Sequence, residues 1–92
     1  MKTVRAVIAG RVQGVWYRAW TAERAAEFGL SGWVRNRQDG TVEAVFSGSA
    51  EAVDRMVEAC RKGPPLARVE SVELSDEPAP AAEPGFGTLP TA

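Results

Sequence analysis

Apolar positions along the chain change period several times, and the changes divide it into elements. Val4, Ala6 and Ile8 fall on alternate positions, which predicts a strand over about Thr3 to Ala9. From about Arg18 to Phe28 the spacing becomes helical, with Tyr17, Thr21, Ala25 and Phe28 on one face and Gly29 placed to end the helix as its C′ residue. Leu30 to Arg37 reads as a second strand, Gln38-Asp39-Gly40 as a turn, and Thr41 to Ser47 as a third strand. In that third strand Val42, Ala44 and Phe46 share a face, with Glu43 on the other. Ser49 is a good N-cap for a second helix, Glu51 suits its first turn, and Val53, Met56, Val57 and Cys60 follow the i, i+3, i+4, i+7 rule. Gly63-Pro64-Pro65 stops that helix. A fourth strand follows over about Ala67 to Leu74. Val72 and Leu74 share one face there and Val69 is out of phase, which implies a bulge or burial on both faces.

The order β-α-β-β-α-β is the split βαβ pattern of the ferredoxin-like fold, an α+β architecture with two helices on one face of an antiparallel sheet. Residues 1–74 are expected to form that domain. Residues 75–92 hold four prolines and little periodicity, and are expected to be a mobile tail. A short fifth strand around Phe86 and Leu89, ended by Pro90, is the alternative for part of that tail.

Ninety-two residues support one small core. The formal charge of −1 argues against a general nucleic-acid binder. No leader pattern and no bilayer-length apolar run is visible, and the single cysteine fits a reducing compartment, so a cytoplasmic protein without a membrane partner is expected. A monomer is expected. Histidine is absent, which removes the commonest general base and metal ligand.

Gly10-Arg11-Val12-Gln13-Gly14-Val15-Trp16-Tyr17-Arg18 joins the first strand to the first helix. A loop in this place exposes backbone N–H groups at a helix start, where the dipole favours an anion. Gly14 permits a tight turn and close approach to a ligand. Arg18, in the first helical turn, opposes the dipole unless an oxyanion lies between its guanidinium and the N–H groups. The loop taken by itself is equally consistent with a surface arginine beside a structural turn.

Gly32-Trp33-Val34-Arg35-Asn36, followed by Gly40, Val42 and Gly48, is the second informative stretch. With it the chain resembles the acylphosphatases, small acyl-phosphate phosphohydrolases that cleave carboxyl-phosphate anhydrides. Residues Ile8 to Arg18 match one family motif and Gly32 to Gly48 match another. Gly63-Pro64-Pro65-Leu66-Ala67-Arg68-Val69 is a weaker similarity, and the resemblance covers about residues 3 to 74. It implies that Arg18 binds substrate and acts in catalysis, that Asn36 is the catalytic asparagine, and that the N–H groups of Gln13, Gly14, Val15, Trp16, Tyr17 and Arg18 cradle phosphate. The chain departs from the family pattern at Tyr17, which replaces a more usual phenylalanine, and in its tail, which lacks the arginine-containing strand ending of many members. Trp16 occupies a variable position. It is expected to cover the core edge, with a role in acyl-group access as the other reading.

The chemistry is consistent with this resemblance. A carboxylic acid of pKa about 4 leaves without protonation near neutral pH, so no general acid is needed. Phosphoryl transfer is mainly positioning and charge stabilisation. An arginine fork grips two phosphoryl oxygens, and a neutral amide holds a water without repelling phosphate. The expectation is water attack on phosphorus in a small acyl phosphate, giving carboxylate and inorganic phosphate with no cofactor and no metal. The runner-up is a non-catalytic anion-binding or regulatory module on the same fold. Single-stranded RNA binding needs an aromatic-rich sheet motif that the sequence lacks. No zinc-binding segment follows Ala92, so a free-standing enzyme is expected rather than part of a larger carbamoyl-transfer enzyme. Among the remaining candidates, Cys60 and Trp33 are expected to pack, Asp39 to serve the turn, and Arg35 and Arg37 to be solvated.

Overall fold

The computed structural model describes residues 1–76 and 85–92. Its elements are β1 (Lys2–Arg11), α1 (Tyr17–Glu27), β2 (Ser31–Asn36), β3 (Val42–Gly48), α2 (Ala50–Lys62), β4 (Arg68–Asp76) and β5 (Phe86–Thr88). The five strands form one sheet in the order β4-β1-β3-β2-β5. β3 lies antiparallel between β1 and β2, which is the split βαβ arrangement.

Register explains the core. Val4 pairs with Phe46, Ala6 with Ala44 and Ile8 with Val42, so these six side chains share one face. That face packs against Tyr17 and Ala25 of α1 and Val53, Met56, Val57 and Cys60 of α2. The helix ends follow the local chemistry. Ser49 Oγ accepts from the Ala52 N–H at 3.2 Å and caps α2. α1 closes in a Schellman motif: the Gly29 N–H donates to Ala26 O at 3.0 Å and the Leu30 N–H to Ala25 O at 2.9 Å, with Gly29 at φ 70.

The out-of-phase Val69 marks a β-bulge. Ala9 pairs with Ser71 but Gly10 pairs with Val69, which leaves Glu70 as the extra residue. Gly10 has φ +124, and a Cβ there would lie 2.2 Å from Arg68 O, so only glycine fits. Pairing with β3 ends at Ile8, so the last residues of β1 follow β4 alone and lead into the loop before α1.

The sheet runs past the boundary expected at residue 74. β4 continues to Asp76, and β5 lies parallel to β2 with Gly32 opposite Phe86 and Val34 opposite Thr88. The sheet is therefore mixed rather than antiparallel throughout. Phe86 supplies the reason, because its ring stacks on Phe46 at 5.6 Å between centroids and joins the core. The rest of the expected tail, residues 77–84, lies outside the described residues. No helix among the described residues is long and apolar enough to cross a membrane.

Candidate active site

The loop between β1 and α1 is held at both ends by buried side chains. Val12 is 1% and Val15 is 6% exposed, and both belong to the core cluster. Gly14, between them, has φ +72 with open space where a Cβ would be. Trp16 is the N-cap of α1, at φ 71 and ψ 15, and gives no side-chain cap. The first turn of α1 also contains no acidic residue. The opening N–H groups of this helix thus have no anion supplied by their own turn. Tyr17, Arg18 and Ala19, the first three helical residues, all line one cavity of about 430 Å³.

Asn36 reaches the same cavity from the sheet. It is the last residue of β2 and pairs with Val42, so it lies on the helix side of the sheet with Val34. Its Oδ1 is buried and has no hydrogen-bond partner among the described residues. An acceptor buried without a donor is costly, so the atom calls for a reason in the site around it. Arg18 takes part in none of the ion pairs among the described residues. Among the described residues, the cavity therefore joins an arginine with no carboxylate partner, the start of a helix and a residue whose amide oxygen is unpaired.

Gln13 ties the two halves together. Its Nε2 donates to Arg37 O at 2.8 Å and to Thr41 O at 2.9 Å, across the neck of the β2–β3 hairpin. The hairpin is closed by Asp39, whose Oδ1 accepts from the Thr41 N–H at 3.0 Å and from Thr41 Oγ1 at 2.6 Å. These bonds hold the Asp39 carboxyl below its ordinary range. The C-terminal residues brace the same hairpin from the other edge. The Leu89 N–H donates to Val34 O at 2.9 Å, the Ala92 N–H to Asn36 O at 3.0 Å, and the Gln38 N–H to Ala92 O at 2.9 Å.

The sequence-predicted residues divide here. Gly14, Trp16, Tyr17, Arg18 and Asn36 meet at the cavity. The Gln13 side chain goes to the hairpin and the Val15 side chain to the core. Tyr17 is 1% exposed, and its hydroxyl donates to Cys60 O at 2.7 Å, so the departure from phenylalanine is satisfied by a partner. Burial raises its pKa well above the ordinary phenol value. Cys60 is a core residue whose thiol is pushed up to about 12 by burial. Two expectations change. Trp16 is 74% exposed and lines the cavity, so it does not cover the core edge. Arg35 is not simply solvated, because its Nε donates to Glu43 Oε1 at 2.7 Å and its guanidinium lies 4.8 Å from the centre of the Trp33 ring. Thr88 also lines the cavity. Its only local signal is the Phe86 to Leu89 apolar pair in the proline-rich end.

Fold and cavity together define a small split-βαβ protein with an oxyanion-suited pocket between its first loop and its second strand. The family model described as Acylphosphatase matches residues 4–88. An acylphosphatase of Rhodospirillum rubrum is 55% identical over 91 residues, which is 99% of this chain and 99% of that one. One from Rhizorhabdus wittichii is 55% identical over 84 residues, 91% of this chain and 84% of its own length. The crystal structure of acylphosphatase from Bacillus subtilis superposes with a TM-score of 0.92 at 32% identity, covering 97% of this chain and 99% of that one. The chain belongs to the acylphosphatase family.

Proposed function

We propose that this chain is a working acylphosphatase, hydrolysing small acyl phosphates by direct attack of water on phosphorus, with Arg18 and Asn36 as its catalytic residues. The observation that carries this reading is that Arg18 and Asn36 line one cavity, with the Asn36 Oδ1 buried and without a hydrogen-bond partner among the described residues. Arg18 grips two phosphoryl oxygens through its fork, and N–H groups from the Gln13–Arg18 loop and first helical turn hold the third. Asn36 Oδ1 accepts a hydrogen bond from the attacking water and aligns it with phosphorus. The water oxygen forms the new P–O bond. The bond from phosphorus to the acyl oxygen breaks, and its electron pair leaves on the carboxylate. The protons of the water stay with the product as dihydrogen phosphate. The carboxylate is a good enough leaving group to need neither a general acid nor a Lewis acid.

The reading is supported by the family relationship and by the tie that Gln13 makes between the arginine-bearing loop and the asparagine-bearing hairpin. Benzoyl phosphate hydrolysis, with and without EDTA, tests it. Turnover is expected in both conditions. Asn36→Ala is expected to lower kcat by about a hundredfold or more with phosphate inhibition nearly unchanged, whereas Arg18→Lys is expected to damage both. Parental kcat in Asn36→Ala removes the water-positioning role. Phosphate binding by a parent that never hydrolyses benzoyl phosphate favours an anion-binding module.

A further inference from the structure

Trp16 is not explained by packing. It is the one non-glycine residue with positive φ among the described residues. The left-handed region is strained for a residue with a bulky side chain. At 74% exposed, the indole recovers little of that strain by burial, while Trp20 and Trp33 are both partly buried. Backbone outliers of this kind cluster where ligands are held. Trp16 combines the strain and the exposure with a place on the wall of the cavity that Arg18 and Asn36 share.

We propose that Trp16 selects the acyl group, favouring phosphoanhydrides of flat aromatic acids over short aliphatic ones such as acetyl phosphate. This rests on the acylphosphatase reading above. Attacking water and leaving carboxylate lie on opposite sides of phosphorus. With the attacking water held by Asn36, whose Oδ1 is buried, the reading above directs the acyl group, on the opposite side of phosphorus, toward the exposed rim of the cavity. Trp16 and Thr88 are the exposed residues of that rim, along with Gly14. An indole offers a planar ring a broad face for offset stacking and offers a single methyl group very little.

The test measures kcat/KM for benzoyl and acetyl phosphates in the parent, Trp16→Ala, Trp16→Gly and Trp16→Phe. The benzoyl-to-acetyl ratio is the readout, because damage to the loop lowers both substrates together. It is expected to fall about tenfold in the alanine and glycine variants and to be largely restored by phenylalanine. Glycine adopts the left-handed backbone freely, so a loss shared with alanine belongs to the ring. An unchanged ratio in both variants overturns the proposal. A parent that hydrolyses neither compound overturns the acylphosphatase reading instead. Titration with benzoylphosphonate and acetylphosphonate then decides the role of Trp16. Preference for the aromatic compound that disappears in Trp16→Ala supports selection, and equal affinities in the parent overturn it.

Discussion

Glu43 sits on the face of the sheet away from the helices, between two arginines. Its Oε2 accepts from Arg5 Nε at 2.6 Å and its Oε1 from Arg35 Nε at 2.7 Å. Burial would raise its pKa, but the bonds and charges of Arg35 and Arg5 outweigh burial and hold the carboxyl below its ordinary range. The folded pKa therefore lies below the unfolded one. The contribution of this network is complete above the unfolded value and is lost as pH falls through the folded one. Glu43→Gln is expected to cost about 1.5–3 kcal/mol at neutral pH, the usual worth of hydrogen bonds to a charged group. The difference from the parent should shrink in acid. Urea titrations at neutral pH and below pH 4 check this, and a constant difference would show that the charge is not what stabilises. At this scale an ordered motif shows which residues stand near one another in the fold, and it does not show which way each side chain points. Arg18 and Asn36 stand in ordered motifs and do reach one cavity. Gln13 stands in the same motif, yet its amide crosses to Arg37 and Thr41, residues more than twenty positions away that no local pattern connects to it.

Among the elements, the four longer strands and both helices are written in periodicity, and even the bulge opposite Gly10 shows as a broken phase at Val69. β5 is different. It has three residues, follows a proline-rich stretch, and finds a parallel partner more than fifty positions earlier in β2. Only Phe86 signals burial, and a lone aromatic in such a context is weak information. The physical case for β5 is the stack on Phe46 and the close fit at Gly32, where a Cβ would meet Val45 O at 1.8 Å and Phe86 Cε2 at 3.3 Å. Phe86→Ala is expected to cost about 2 kcal/mol. Removing residues 85–92 is expected to cost more and to lower turnover as well, because Thr88 leaves the cavity and the Ala92 bond to Asn36 is lost. Thermal melts and benzoyl phosphate assays of both variants check this. A truncated chain with parental Tm and kcat would show that β5 serves neither fold nor site.

Taken whole, the molecule has its central strand covered on both sides. Val42 to Ser47 are all buried, under the helices on one side and under a layer that includes Arg5 and Arg35 on the other. The edges are unequal. β4 is anchored to β1 along most of its length, whereas β5 clings to β2 over three residue pairs. Short edge elements with little burial open locally at far lower free energy than the centre of a sheet. The residues that brace Asn36 from outside belong to that weak edge. Turnover is therefore expected to fail at lower urea than the far-ultraviolet circular dichroism signal, with the amides of Leu89 and Ala92 exchanging deuterium well before those of β1. Coincident activity and dichroism curves would show that the edge opens only with the whole fold. The parallel return of β5 thus separates two thresholds in one small domain: mild stress would idle the chemistry while the scaffold stays shut, and relief would restart it without refolding.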